Sequence, residues 1–382
     1  MRKFSIFFLL IPLLTSCPQN QNSDPQFPPL PKPEKNRAPE PMIAFAPKSY
    51  ICYRANAPLT IDGKLDETAW QAAPFTDRFQ DIVGPSKPEP RHDTRMKMLW
   101  DETYFYFAAV LDEPHVWAKL KKRDSIIFFD NDFEIFIDPD GDTYNYYELE
   151  VNAFATEWDL FIAQPYRDGG PAIHAWDITG LKTAVHVDGT LNDPSDTDKG
   201  WSVEIAIPWE MLKEAAPDQR GPEAGEYWRV NFSRVQWQTE VVNGGYEKIK
   251  DSSTGKPLPE DNWVWSPQGL VNMHYPEMWG FVHFAGKAPG GEEIKFEIPA
   301  FEMTKNALRQ VYYRQHAYFF ENGLFAKGVE TLDLAKPEGG THSWPPTIQT
   351  TRSQFEAMLL SADQKTIWHI DQDGWTWKTE LD

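Results

Sequence analysis

From residue 49 to about residue 286, the hydrophobic and polar positions follow the two-residue period of β-strands. Large apolar side chains alternate with polar ones, and Gly, Pro and Asp separate the runs. The clearest runs occupy residues 96–113, 133–138, 146–154, 200–208 and 227–237. Short strands at such spacing predict a mainly β domain over residues 49–286, built as an antiparallel β-sandwich of jelly-roll type.

The pattern changes to a helical period near the C-terminus. Apolar and aromatic residues recur at helical spacing from Met303 to Phe320, and Asn322-Gly323 is a typical helix stop. Two further strand-like runs, residues 353–363 and 365–379, meet around Gln364. Residues 299–382 are therefore predicted to form a small α+β appendage, a helix plus a β-hairpin, with no assigned activity.

The N-terminus has the features of a secreted lipoprotein. A cationic start and a short apolar stretch predict a signal peptide over residues 1–17. Its end, Leu14-Thr15-Ser16-Cys17, resembles a bacterial lipobox, which predicts lipidation of Cys17 and a lipid anchor in the cell envelope. Residues 18–48 are rich in Pro, Asn and Gln and predict an extended tether.

Composition narrows the choice of partner. The chain has 382 residues, a formal net charge of −20 and 16 Trp, 14 Tyr and 24 Phe. An acidic surface repels phosphate backbones and anionic lipid headgroups, so nucleic acid is excluded and the membrane is reached only through the lipid. Neutral polar ligands remain, and aromatic faces suit flat sugar rings. The oligomeric state is left open.

Strand alternation places the acids of residues 130–156 on one face. Phe133, Ile135 and Ile137 would point into the core, which leaves the other face to the polar side chains. If the two neighbouring strands pair through the intervening turn, that face carries Glu134, Glu150 and Asn152. Carboxylates and amides hydrogen-bond to sugar hydroxyls, so the face is predicted to contact an oligo- or polysaccharide.

Five motifs in this region occur in the order and spacing of a known family. They are Ile61–Glu67 with Trp70, Leu99–Glu102 with Tyr104 and Tyr106, Phe133–Asp138, Gly200–Trp209, and the closing pair Trp265-Ser266-Pro267 and Trp279-Gly280. Together they resemble the family 9 carbohydrate-binding module over roughly residues 50–286. The resemblance implies a DOMON-like β-sandwich, sugar binding without catalysis, association with glycoside hydrolases and structural calcium.

The resemblance also assigns site residues. Glu134 and Asn152 occupy positions that contact the ligand in sugar-binding members, whereas the two sandwiching tryptophans fall near Phe128 and Met273. The family's arginine falls at Glu150, which reverses a charge. These departures imply a different glycan or an altered site, and Trp263, Trp265 and His274 are candidates to rebuild the aromatic wall. Arg234 is predicted either to contact sugar or to form an internal salt bridge.

Other functions remain possible at this point. One alternative is a protein-binding scaffold or adhesion lipoprotein whose sandwich has lost its sugar site. Another is a haem site at Met273 and His274, with Met278 and His283 nearby, because some DOMON relatives bind haem through Met and His. Glu134 and Glu150 are a conceivable acid–base pair, although outward acids on a strand more often contact ligand or solvent. The turn Asp138-Pro-Asp140-Gly-Asp142 lacks EF-hand spacing and is read as hairpin chemistry.

Overall fold

A computed structural model describes Leu30 and residues 32–291, 294–337 and 342–381 of the protein. The signal peptide and Cys17 lie outside the described residues, so both stay predictions. The helices in the described part are α1 (Thr68–Ala72), α2 (Trp209–Leu212) and α3 (Ala300–Asn322). The strands are β1 (Ser49–Arg54), β2 (Gln80–Asp81), β3 (Thr94–Trp100), β4 (Tyr104–Asp112), β5 (Asp132–Asp138), β6 (Tyr146–Asn152), β7 (Glu157–Ile162), β8 (Ala172–Ile173), β9 (Lys182–Asp188), β10 (Gly200–Pro208), β11 (Tyr227–Gln236), β12 (Thr239–Val242), β13 (Gly245–Lys248), β14 (Asp261–Val264), β15 (Gly280–Phe284), β16 (Thr347–Thr350), β17 (Phe355–Leu360), β18 (Thr366–Asp371) and β19 (Thr376–Glu380).

The predicted β-sandwich is confirmed. One layer has the strand order β8-β7-β6-β5-β11-β15-β1, and the other has the order β1-β3-β4-β10-β9. Strand β1 belongs to both layers, because its first residues pair in parallel with β15 and its last two pair in parallel with β3. The edge of one layer therefore continues into the other.

The core lies between the two layers and is rich in aromatic rings. Phe107 of β4 meets Phe232 of β11 with ring centroids 5.9 Å apart, and Phe105 lies 6.5 Å from Trp228. The alternating apolar residues of β5, with Ile135 among them, are fully buried in this cluster. The strand faces predicted from alternation are thus the observed ones.

The C-terminal residues form a helix and a sheet. Helix α3 ends at Gly323, whose φ of 69° is the left-handed conformation expected of a glycine stop. The predicted hairpin around Gln364 is present as β17 and β18, but it belongs to a four-stranded antiparallel sheet with the order β16-β17-β18-β19. Part of the second predicted strand becomes β19, because Gly374, with a φ of 80°, makes a turn there.

None of the helices in the described ranges is both long enough and apolar enough to cross a membrane. The part of the predicted tether from Arg37 onward contacts the fold. Arg37 forms ion pairs with Asp168 at 3.1 Å and Asp373 at 2.8 Å, and Ala38 is fully buried. The composition of residues 18–48 could not reveal these contacts, because they join residues more than 100 positions apart.

Candidate functional site

The second face of the β5–β6–β7 sheet forms the floor of a cavity. Glu134 of β5 pairs directly with Glu150 of β6, which pairs in turn with Trp158 of β7. One step along the same face, Phe136 is opposite Glu148. Because directly paired residues of antiparallel strands share a face, the two-residue period gathers these side chains around one cavity of about 300 Å³.

Loops supply the walls of the cavity. Phe128 lies in a short 3₁₀ turn, where its backbone N–H donates to Glu150 Oε2 at 2.9 Å and so ties the turn to the floor. Met273 and His274 line the cavity as well. Tyr166 also lines the cavity, and its ring lies 4.3 Å from that of His274 in an edge-on arrangement. Aromatic rings therefore face a floor of carboxylates.

The cavity opens to solvent along one side. Among its lining residues, Val271 is 70% exposed and Tyr166 is 46% exposed. Both residues, with Asn272, also line an adjoining groove of about 790 Å³. A ligand longer than the cavity can therefore extend into the groove.

Burial determines the charge state of the floor. Burial raises the pKa of Glu134 to about 7, and burial together with the neighbouring carboxylates raises the pKa of Glu148 and Glu150 well above the usual range. Burial and the neighbouring carboxylates also raise the pKa of Asp132 well above the usual range. Asp132 Oδ2 and Glu148 Oε2 are buried without a hydrogen-bond partner in the protein. Glu148, which lines the cavity, thus has a buried oxygen that a hydrogen bond from or to a ligand would satisfy.

Four of the predicted site residues meet at this cavity. Phe128, Glu134, Glu150 and Met273 all line it, although they come from four separate parts of the chain. The His274 suggested for the wall lines it too.

Asn152 does not line the cavity, and its side chain is fully buried. Its amide accepts hydrogen bonds from the backbone N–H groups of Phe154 and Thr156 at 3.0 and 3.1 Å. It also donates to Leu120 O at 2.8 Å and to Asp130 at 3.0 Å. Its hydrogen-bonding capacity is used to shape the turn after β6, which leaves none for a ligand.

Arg234 fulfils the second of its two predicted roles, an internal salt bridge. Its guanidinium is buried and lies 3.0 Å from Glu113 Oε2, away from the residues that line the cavity. The partner is Glu113 because Arg234 lies on the core side of β11, next to Thr94. Trp263 and Trp265 are also core residues, 3% and 1% exposed, so they do not rebuild the aromatic wall.

Sequence reasoning did not assign several lining residues to the site, among them Trp158, Glu148 and Tyr166. Trp158 and Glu148 follow from alternation once the β5–β6–β7 register is known, since each lies on the face that carries Glu134. Tyr166 lies in a 3₁₀ turn after β7 and gives no periodic signal. Trp158, which is 7% exposed, adds an aromatic ring to the lining and is itself stacked on His174 with ring centroids 5.6 Å apart.

Three groups of carboxylates among the described residues are close enough to share a cation. Asp132, Glu134 and Glu150 form the first group, with oxygens within 4.8 Å of one another, and of these three Glu134 and Glu150 line the cavity. Asp138, Asp140 and Asp142 form a second group, but Asp138 already accepts the N–H groups of Gly141 and Thr143, as in a hairpin turn. The third is Asp124, Asp159 and Asp177. Of these described groups, only the first has a buried carboxylate oxygen without a hydrogen-bond partner in the protein, Asp132 Oδ2.

Of the four residues considered for haem, Met273 and His274 line the cavity, whereas the other two lie elsewhere. His274 lines the cavity, where burial and the charge of Arg167 lower its pKa to about 3 and its Nδ1 lies 3.0 Å from Tyr146 Oη. Met278 instead belongs to the apolar cluster around α3, and His283 lies on β15.

Two known proteins and one solved structure are similar to parts of this chain. The chain is 27% identical over 154 residues to endo-1,4-beta-xylanase A of Thermotoga maritima, a match covering 40% of this chain and 12% of that protein. It is 22% identical over 329 residues to exoglucanase XynX of Acetivibrio thermocellus, covering 79% of this chain and 27% of that one. The chain thus spans a minor part of each relative. A family 9 carbohydrate-binding module from Caldicellulosiruptor kristjanssonii in complex with cellotriose aligns with 15% identity and a TM-score of 0.40, over 66% of this chain and all of that one.

The fold and its ligand cavity define a β-sandwich of the binding-module class. Residues 61–227 match the family described as carbohydrate family 9 binding domain-like. The family 9 resemblance predicted from the sequence is therefore confirmed over residues 61–227, which contain four of the five motifs.

Proposed function

We propose that the cavity on the β5–β6–β7 face binds a saccharide non-covalently and without catalysis, and so supports polysaccharide capture or breakdown. The observation that carries the proposal is the arrangement of carboxylates on the floor and aromatic rings on the walls within a family 9 domain. Sugar hydroxyls donate to carboxylates, and the apolar face of a pyranose stacks on an aromatic ring.

The acids of the floor disfavour an anionic ligand. Glu134, Glu148 and Glu150 line the cavity, and each of them repels a phosphate or a uronate whenever it is ionised. Since the relatives are named as a xylanase and an exoglucanase, β-linked xylose or glucose oligomers are the first ligands to test. Glu150 in place of the family's arginine makes the preference for uncharged sugars stronger.

Replacing Glu134 with Gln tests the proposal. At pH 8 the wild-type carboxylate is ionised, because its pKa is about 7. A charge-assisted hydrogen bond contributes about 1.5–3 kcal/mol, so Glu134→Gln should weaken binding of cellotriose or xylotriose about tenfold or more in calorimetric titrations. Phe128→Ala should weaken it as well, through loss of ring stacking.

The matched control is Glu240→Gln, an acid on β12 with an exposed side chain. It should leave the affinity unchanged. If folded wild-type protein gives no heat with either sugar, with calcium present, the saccharide proposal is wrong and a protein-binding scaffold becomes the better interpretation.

Calcium is a second part of the proposal. Asp132, Glu134 and Glu150 would hold the ion, because Ca²⁺ prefers oxygen ligands and the buried Asp132 Oδ2 lacks a partner. Bound calcium would supply positive charge to a buried acidic floor. The midpoint of thermal unfolding should rise when calcium is added to chelator-treated protein, and Glu150→Gln should reduce that rise. An unchanged midpoint would contradict this assignment.

The proposed location is the bacterial cell envelope, with the lipid on Cys17 as anchor. Support comes from the lipobox-like residues Leu14-Thr15-Ser16-Cys17. Cys17→Ala should move the protein from the membrane fraction to the soluble fraction, and a wild-type protein found soluble would refute the anchor.

A further inference from the structure

We propose a second saccharide site in the cavity between the sandwich and the C-terminal unit. This cavity measures about 770 Å³, more than twice the volume of the first. It shares no lining residue with the first cavity, and residues 299–382 lie outside the part of the chain that matches the family. The site therefore goes beyond the function proposed above.

Four segments of the chain converge on this cavity. The turn between β5 and β6 contributes Asp140 and Asp142, and the start of α3 contributes Phe301. Strand β18 contributes Trp368, and the turn before β19 contributes Trp375. The cavity thus exists only because the C-terminal sheet and helix lie against the sandwich.

Aromatic rings dominate its apolar surface. Phe301 stacks on Trp368 with centroids 5.2 Å apart and an interplanar angle of 10°. Trp375 lies 4.9 Å from Trp377 at an angle of 30°. Trp375 is 42% exposed and Phe301 is 38% exposed, although rings of this size are normally covered when they serve only the core. Exposed rings gathered around a cavity are typical of a binding site.

Polar groups are interspersed among the rings. The indole N–H of Trp375 donates to Asp142 Oδ2 at 3.1 Å, which fixes the ring relative to the sandwich. Asp140 and Asp142 offer carboxylate acceptors, and the ammonium group of Lys378 on β19 offers a donor. A sugar presents both hydroxyl donors and hydroxyl acceptors next to apolar ring faces, so it matches this mixture.

Charge and ring geometry argue against other small ligands. The carboxylates lining the cavity, those of Asp140, Asp142, Glu302 and Asp363, outnumber the two lysines, Lys305 and Lys378, so an anion is disfavoured. The rings form two separate pairs with flat faces, whereas recognition of a quaternary ammonium needs a cage around one point. Two sites in one chain would raise the avidity for a polysaccharide.

Fluorine NMR of the protein labelled with 5-fluorotryptophan can report on both cavities at once. Trp375→Phe and Trp158→Phe each remove one resonance and thereby assign the signals of the second and first cavities. The probes are cellotriose, xylotriose and mannotriose. We expect at least one sugar to shift the Trp375 signal, with a concentration dependence that differs from that of the Trp158 signal.

The outcomes separate this inference from the function proposed above. A Trp375 signal that stays in place with all three sugars, while the Trp158 signal shifts, would overturn the second site and leave the first standing. A shift of Trp375 alone would support the second site and refute the first. If neither signal moves, both proposals are wrong.

A substitution at the exposed ring provides the quantitative test. Trp375→Ala should weaken binding at this site about tenfold, the upper range expected for loss of one ring contact, as read from the resonance of Trp377 in the same lining, and without altering the response of Trp158. The matched control is Phe75→Ala, another partly exposed ring, which does not line this cavity. Equal affinity in wild type and Trp375→Ala would overturn the assignment.

Discussion

At the scale of single residues, the type of a side chain does not reveal where its hydrogen bonds go. Asn152 and Glu134 lie on the same strand face, since Asp132 pairs with Asn152 and Glu134 pairs with Glu150. Yet Asn152 directs its amide into the turn that follows β6, whereas Glu134 faces the cavity. The difference arises from the next loop, which supplies backbone partners to one residue and none to the other.

We therefore expect Asn152→Ala to affect stability and not binding. The change leaves the N–H groups of Phe154 and Thr156 without their acceptor, and an unsatisfied buried group costs about 1–3 kcal/mol. Chemical denaturation should show a loss of about 2–3 kcal/mol in the free energy of unfolding. Titration of the remaining folded protein should give wild-type sugar affinity. A stable Asn152→Ala protein that no longer binds sugar would return Asn152 to the site.

At the scale of elements, the three strands β5, β6 and β7 act as one acidic surface. Their register places Glu134, Glu148 and Glu150 beside one another, and burial then raises the pKa of each. An acid whose pKa is higher in the folded than in the unfolded state binds protons more strongly when folded. Its contribution to stability is therefore favourable at low pH and is lost as the pH rises through the folded pKa.

Glu134 allows this effect to be measured. Its pKa rises from the usual 4.5 to about 7, so the free energy of unfolding should increase as the pH falls from 8 to 5. In chelator, Glu134→Gln should be more stable than wild type at pH 8, by on the order of 3 kcal/mol. The advantage should shrink towards pH 5. Glu240→Gln should show little change at either pH, and a constant advantage for Glu134→Gln would contradict the assigned pKa.

At the scale of the whole molecule, buried ion pairs join the sandwich to the C-terminal unit. Arg229 of β11 lies 3.2 Å from Glu302 of α3, and both side chains are 3% exposed. Glu277, in the loop before β15, lies 2.9 Å from Arg167 and receives a hydrogen bond from Tyr313 of α3 at 2.5 Å. If the C-terminal unit separated from the sandwich, these charges would either stay buried without partners or become hydrated. Because a buried charge without a partner is strongly destabilising, the two parts are expected to unfold together.

Glu277 predicts how this coupling responds to acid. Burial alone would raise its pKa, but Arg167 and Arg309 outweigh burial and lower it to about 2. A lowered pKa gives stability that is present above about pH 4.5 and is lost as the pH falls towards 2. Glu277→Gln should destabilise the protein by roughly 3 kcal/mol at pH 7 and remove this part of the acid sensitivity.

Calorimetry across that pH range provides the measurement, with Glu330→Gln as a control at an exposed position. We expect the wild-type sandwich and C-terminal unit to unfold in a single transition at pH 7. Two separate transitions, unaffected by Glu277→Gln, would show that the ion pairs do not couple the two parts.

The sequence by itself determined the features that depend on local periodicity. Alternation identified the strands and the face that carries Glu134 and Glu150, because side chains on a strand point to opposite sides in turn. Helical spacing and Gly323 located α3 to within a few residues. The five ordered motifs identified the family, and with it the positions of Phe128 and Met273 at the cavity.

Only the tertiary structure decided features that depend on partners far apart in the chain. It paired Arg234 with Glu113, tied Arg37 to Asp168 and Asp373, and placed Trp375 beside Asp142. Each of these contacts joins residues more than 100 positions apart, so no local pattern encodes it. The second cavity belongs to this group, because its walls come together only when the C-terminal unit lies on the sandwich.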